Sequence, residues 1–369
     1  MTDIFNNIYD GKRVLITGHT GFKGSWLTSW LLKMNAVVAG LSDEIPTQPS
    51  MFEELGLEGR IDHNIGDVRN LASVQTLIES FDPQFIFHLA AQPLVSVSYQ
   101  DPLETITTNI VGTATVLEAL RNVNSECVAV IVTSDKCYEN LEWVWGYKET
   151  DPMGGKDIYS ASKGAAELIF NAYYHSFFKS SEAKVKLATG RAGNVIGGGD
   201  WAKDRIVADC MRSWSVGKTV QIRSPSSTRP WQHVLEPLSG YLALAAALYE
   251  GKEIKGESFN FGPKSEQNKT VLELLHDLSL YWDFDDTDDA YCVSGSTLYH
   301  EAGLLKLNYD KALFHLKWQG NLDYLECVRL VSEWYKTFYR NRGDMYLFTL
   351  TQISEYEKLA QKGGLSWTR

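Results

Sequence analysis

No two of the five cysteines (Cys127, Cys137, Cys210, Cys292, Cys327) form a Cys-x-x-Cys pair, their number is odd and their spacing wide. That excludes a disulfide framework and a zinc knuckle as organising features and leaves buried thiols in a reducing compartment. No metal site is expected. A long basic run is also missing: 35 Lys and Arg stand against 46 Asp and Glu, a formal net charge of -11. Neither nucleic acid nor an anionic membrane is therefore an expected partner, and a negatively charged ligand needs arginines placed for it locally. No stretch reaches about 18 uninterrupted apolar residues, and Met1-Thr2-Asp3-Ile4-Phe5-Asn6-Asn7 lacks the basic-then-apolar pattern of a signal. The expectation is a soluble cytoplasmic protein. Internal repeats and low-complexity tracts are missing too, and the apartate-rich run 283–289 lacks the glycine and terminal glutamate of a calcium loop, so it reads as a solvated loop.

What is present is an alternation of strand and helix signals. Arg13 to Thr17 is a short apolar strand running into Gly18-His19-Thr20-Gly21-Phe22-Lys23-Gly24, then an apolar-rich helix from Ser25. Strand, glycine turn and helix in that order place backbone N–H groups and the positive end of a helix where a pyrophosphate can sit. A second strand, Ala36 to Leu41, ends in Ser42-Asp43-Glu44. Asp43 lies about 20 residues beyond the last glycine, where an acid bonds an adenosine ribose and repels a 2′-phosphate, which favours NAD over NADP; a solvated turn is the alternative for Asp43.

Further strands at 61–65, 85–91, 128–133 and 184–189 alternate with helices at 71–80, 102–123 and from Tyr159 onward. Such apolar strands predict a doubly wound parallel α/β sheet covered on both faces, with ligands at the strand carboxyl ends. Asp67, His88 to Gln92 and Ser134 to Lys136 fall at such ends. At 369 residues, two lobes are expected: a Rossmann domain over 1–190, to which 231–262 returns, and a smaller α/β substrate lobe over 191–369 that opens on a glycine- and tryptophan-rich stretch.

Tyr159 and Lys163, four residues apart, share a face if they lie on a helix. A tyrosine ionises near pH 10, so one acting as an acid/base at neutral pH needs a fixed positive charge beside it, and Lys163 is placed to supply it. Alone, such a pair is more often a surface contact without chemistry, and its neighbours decide.

Together, Thr17-Gly18-x-x-Gly21-x-x-Gly24, Asp67-Val68, His88-Leu89-Ala90-Ala91, Thr133-Ser134-Asp135-Lys136 and Tyr159-x-x-x-Lys163 resemble the extended short-chain dehydrogenase/reductase family. Within it, Ser134 to Tyr138, Arg191 to Trp201 and Arg229 to Gly240 resemble the CDP-glucose 4,6-dehydratases, over nearly the whole chain. The resemblance implies tightly held NAD, contacted by Gly18, Gly21, Phe22, Lys23, Gly24, Asp43, Asp67, Val68, Leu89, Ala90, Ala91, Tyr159 and Lys163. It implies CDP-glucose as substrate, oxidised at C4, dehydrated across C5 and C6 and reduced at C6. Tyr159 then takes the C4 hydroxyl proton, Lys163 lowers the Tyr159 pKa, and Ser134 bonds the ketone, unless Ser134 is only a strand-end cap.

Elimination needs a base at C5 and an acid at C6, and Asp135 and Lys136 are the candidates. Related dTDP-glucose dehydratases resemble Asp-Glu at these places, so Lys136 is a departure; it acts as a base only with a depressed pKa, and the alternative is a counter-ion to Asp135. For the substrate, Arg229 and Arg205 are expected on the pyrophosphate, with Gln92, Ser134, Asn194 and Glu301 as further contacts; plain solvation is open for Arg205 and Glu301. A 4-epimerase, a dehydratase for another nucleotide and a non-catalytic NAD sensor are the rival functions. The helices at 102–123 and 159–179 resemble those that pair in family dimers, which implies a homodimer or homotetramer.

Overall fold

The computed structural model describes residues 4–222, 224–264, 267–282, 284, 286–293, 304–341 and 343–369. Seven strands form a parallel sheet: β1 (Arg13–Thr17), β2 (Val37–Ser42), β3 (Asp62–Ile65), β4 (Phe85–His88), β5 (Cys127–Val132), β6 (Val185–Ala192) and β7 (Ser258–Phe261), in the order β7-β6-β5-β4-β1-β2-β3. From β1 the chain winds outward through β2 and β3, then returns to the other side of β1 to begin β4. The order of connection reverses between β1 and β4, and a crevice opens at their carboxyl ends.

Alternate residues of each strand feed two cores. Val14, Ile16, Phe85, Phe87, Val128 and Val130 pack with Trp26, Leu27, Trp30 and Leu31 of the Phe22–Lys33 helix and with the Leu235–Tyr249 helix. Leu15, Ile86, Ala129, Ile131 and Leu187 face Val74, Leu77 and Ile78 of the Leu71–Phe81 helix, together with Val116, Leu117 and Phe170. With both faces covered, the central strands β1, β4 and β5 are near-continuous hydrophobic runs, whereas the edge strand β3 is polar and part-exposed.

Several boundaries differ from the sequence expectation. β6 runs to Ala192 instead of ending near Thr189, because pairing with β7 extends it through Gly190 and Arg191. The expected helix 102–123 runs from Pro102 to Leu120 through a π turn at Thr107–Val111, and the one from Ile158 passes into a π turn at Tyr174–Phe178. The Met345–Lys362 helix, absent from the sequence reading, packs Tyr356 and Ile353 into the larger core. Among the described residues, no helix is long and apolar enough to cross a membrane.

Candidate active site

The glycine turn fills the crevice at the end of β1. Gly18 has φ +78°, and a Cβ there would lie 2.7 Å from the Ala90 nitrogen; a Cβ on Gly24 would lie 2.1 Å from the Gly18 oxygen. Only glycine permits that approach of the turn to the β4 end and to its own helix. The Phe22–Lys33 helix has Gly21 as its N-cap and no side-chain cap, so its first N–H groups face the crevice without an intrahelical acceptor. Phe22 packs against the core, while Lys23 projects into the site, where burial and then Arg205 depress its ammonium pKa to about 8. Leu89 donates its N–H to the Thr17 carbonyl and Ala90 to the Thr17 hydroxyl, which fixes the Leu89 to Ala91 segment beside the turn. Orphan N–H donors, a turn closed to side chains and an adjoining strand end together fit a dinucleotide pyrophosphate.

Asp43 is the first residue beyond β2 and is exposed, its carboxylate accepting the Glu44 N–H at 3.0 Å. The neighbouring Ser42 is buried and its hydroxyl is bonded to the turn at Thr20 and His19, so Asp43 and not Ser42 carries the available oxygen at that strand end. Asp67 is held by Arg69, which lowers its carboxyl pKa and also bridges to Glu104, while Val68 is buried against the helix layer.

Beyond β5 the chain turns sharply. Ser134 caps the one-turn helix Asp135–Cys137, its hydroxyl accepting from the Lys136 N–H at 3.2 Å and donating to Asp135 Oδ1 at 2.9 Å. The strand-end cap expected as an alternative is thus present, and the same hydroxyl also bonds the Tyr159 phenol and lowers its pKa. Burial raises the Asp135 pKa, against the opposing charge of Lys136. Lys136 itself makes no ion pair or hydrogen bond through its ammonium with any described residue, Asp135 included.

Tyr159 and Lys163 do lie on one helix, Ile158–Tyr173, whose start is capped by the Asp157 side chain. The Lys163 ammonium is 5.9 Å from the Tyr159 ring centre. Burial pushes the Tyr159 phenol up to about 12. The charge that most opposes this is Arg205, where the resemblance implied Lys163; the half-buried Arg205 guanidinium has no hydrogen-bond or ion-pair partner among the described residues and turns its field on Tyr159 and Lys23. Lys163 is itself depressed to about 8 by burial.

One pocket is lined by Asp135, Lys136, Asn194, Arg229, Pro230 and Leu305. Asn194 follows β6 and Arg229 lies on the short strand Thr228–Arg229, so residues far apart in sequence meet over the Ser134 turn. Gln92 is not among them. Its amide donates to the Leu94 carbonyl and the Thr105 hydroxyl and accepts the Leu94 N–H, so the side chain organises its own loop. Glu301 lies outside the described residues. Asn109, missed in the sequence, sits in the π turn and bridges the Gln92 backbone to the Ser162 hydroxyl, which bonds the Tyr159 carbonyl. A single asparagine inside a long helical pattern carries no periodic signal.

A family model described as GDP-mannose 4,6 dehydratase matches residues 15–247. The chain belongs to that family, within the extended short-chain dehydrogenase/reductases. It is 46% identical to the CDP-glucose 4,6-dehydratase of Salmonella typhimurium, over 96% of this chain and 98% of that one. Among solved structures, an epimerase from Methanothermobacter thermautotrophicus superposes with a TM-score of 0.77 at 22% identity, covering 92% of this chain and 96% of that one. The dTDP-glucose 4,6-dehydratase of Streptomyces venezuelae, determined with NAD bound, gives 0.74 at 19% identity, covering 90% and 100%. For these two the likeness is one of fold. The family's dehydratases and epimerases share this frame, so the reaction has to be argued from the residues over the Ser134 turn.

Proposed function

We propose that the protein is an NAD-dependent CDP-glucose 4,6-dehydratase, converting CDP-glucose to CDP-4-keto-6-deoxyglucose. The observation that carries this is the pocket that joins Asp135 and Lys136 to Asn194 and Arg229 beside Tyr159 and Ser134. A 4-epimerase needs no acid/base pair for C6 elimination, and an NAD sensor needs no buried tyrosine–lysine pair. The close relationship to a named CDP-glucose 4,6-dehydratase supports the same substrate.

The glycine turn, Asp43, Asp67, Val68 and the Leu89 to Ala91 segment would hold NAD, with Tyr159 and Lys163 at its reactive end. Bound NAD supplies the hydride acceptor at C4 and the hydride donor at C6. Tyr159 takes the proton of the C4 hydroxyl; the depression of its pKa falls to Arg205 and Ser134, together with whatever positive charge is bound. The Ser134 hydroxyl turns from Asp135 to donate to the C4 ketone oxygen. The ketone acidifies C5–H; Lys136 removes that proton, the electron pair forms the C5–C6 double bond, and the C6–O bond breaks as Asp135 protonates the departing oxygen to give water. A carboxyl whose pKa burial has raised suits the donor role, and the Lys136 amine, unpaired with any described carboxylate, takes the C5 proton only in its deprotonated form. Arg229 and Asn194 in the pocket, with Arg205 near enough to act on Tyr159 and Lys23, offer the donors a pyrophosphate needs on an otherwise acidic protein.

In this reading residues 1–190, with 231–262, cradle the dinucleotide, and the remainder from 191 to 369 supplies the nucleotide-sugar contacts. Exposed Leu103, Val111, Leu168 and Phe177 on the adjoining 102–120 and 158–178 helical runs favour a homodimer or homotetramer in the cytoplasm. The function is tested by incubating the protein with NAD and CDP-glucose, dTDP-glucose or GDP-mannose in parallel. A 4-keto product absorbing in alkali from CDP-glucose supports the assignment; formation of CDP-galactose, or turnover of only another nucleotide sugar, overturns it.

A further inference from the structure

Beneath the site lies an ion pair with no step in that chemistry. Glu167 and Arg191 have side chains 1% exposed and meet at 2.8 Å. Glu167 Oε1 also accepts from Arg191 Nε at 2.9 Å and from the Thr133 hydroxyl; Oε2 accepts from Thr189 at 3.0 Å and Ser258 at 3.3 Å. One carboxylate thus gathers donors from the end of β5, from β6 and from β7. Its position on the Ile158–Tyr173 helix is one turn beyond Lys163, and Thr133 directly precedes Ser134. Arg191 continues the connection upward, its Nη1 donating to the Tyr138 hydroxyl at 2.7 Å, and Tyr138 donates to Asn260 at 2.8 Å. Tyr138 ends the Asp135–Cys137 turn. The three pieces that carry the reacting side chains, namely the helix, the strand end and the turn, are therefore bonded to the same pair.

Burying two charges for stability alone is a poor bargain, because matched apolar residues do as well or better. What an apolar pair lacks is direction: a carboxylate with five donors fixes the helix in height and rotation against the strand. It also places a negative charge close enough to Lys163 to favour the ammonium, while Arg191 keeps Glu167 ionised.

We propose that Glu167, paired with Arg191 and tied to Thr133, is a positioning residue for the dehydratase reaction, holding Tyr159 and Lys163 in register with Ser134 and Asp135. This rests on the function proposed above. Thr133→Val removes one bond without changing shape and spares the ion pair. Because small misplacements of reacting groups are costly, kcat for CDP-glucose should fall about tenfold with KM and melting temperature little changed, and Thr133→Ser should restore it. Glu167→Gln alone leaves Arg191 unpaired and risks the fold, so Glu167→Gln/Arg191→Met is the companion variant; folded, it should show the same loss in kcat. A second readout needs no substrate: competitive acetylation of Lys163 at neutral pH, followed by peptide mass and corrected for the folded fraction, should run several-fold faster in Glu167→Gln/Arg191→Met, where the ammonium is less favoured. Wild-type turnover with unaffected variants, a loss that only tracks the folded fraction, or unchanged Lys163 labelling overturns the proposal. Failure of the wild type to turn over CDP-glucose instead counts against the function, with the labelling still deciding the role of Glu167.

Discussion

The Lys163 ammonium stands 5.9 Å from the centre of the Tyr159 ring, one helical turn away and with no hydrogen bond of its own among the described residues. Burial is the largest influence on both, holding the phenol near 12 and the ammonium near 8, so both groups are poised for a ligand that brings charge and donors with it. Tyr159→Phe should keep dinucleotide binding, read by fluorescence titration, and lose C4 oxidation by on the order of a hundredfold or more. Near-normal turnover would remove Tyr159 from its role.

Arg205 gives a prediction in pH. Its guanidinium lowers the Tyr159 pKa, so Arg205→Gln should move the rising limb of the kcat/KM profile toward alkaline pH, by about one unit. A profile that keeps its position while KM alone rises would confine Arg205 to substrate binding.

Lys136 and Asp135 are separated by the order of the steps. Lys136→Met keeps most of the side-chain volume and removes the amine, so single-turnover mixing should still reduce bound NAD while C5 solvent exchange and product release fall together. Asp135→Asn should preserve C5 exchange and slow loss of water. Full C5 exchange in Lys136→Met would transfer the base role to Asp135 or to a water it holds.

Glu236 lies away from the site and tests the packing of the C-terminal helix. Its buried carboxylate accepts from the Asn321 and Leu322 N–H groups and the Tyr356 hydroxyl, with no cation partner among the described residues, and burial raises its pKa to about 7. The folded state binds this proton more tightly than the unfolded state, so the stability it contributes is fully present below about pH 4.5 and is lost as pH rises through about 7. Glu236→Gln cannot titrate. Relative to that variant, the wild type should lose on the order of 1–3 kcal/mol between pH 5 and 8 in urea unfolding; parallel curves would show that Glu236 is ionised throughout.

The sheet was legible because its central strands are buried on both faces and read as apolar runs, and the glycine turn because Gly18 and Gly24 admit no Cβ. The Ser134 turn and the Tyr159–Lys163 face were legible from spacing. Contacts that depend on tertiary approach were not. Gln92 lies at a strand end, as expected of a ligand contact, yet its amide is consumed by Leu94 and Thr105. Arg205 is expected from sequence on the pyrophosphate, with plain solvation as the alternative, and its field on the Tyr159 phenol depends on a tertiary approach that no sequence spacing announces. Asn109 and Glu167 are polar residues inside helices, indistinguishable in a linear pattern from solvated ones until the strands they bond are in place.

The most direct measurement follows the hydrogen atoms. CDP-glucose carrying deuterium at C4 is incubated with the enzyme and NAD in ordinary water, and the product is read by NMR. Expected is a 4-keto-6-deoxy sugar with the deuterium at C6 of the same molecule and a solvent-derived proton at C5. Recovery of CDP-glucose and CDP-galactose with deuterium still at C4, or no transfer at all, would contradict a dehydratase.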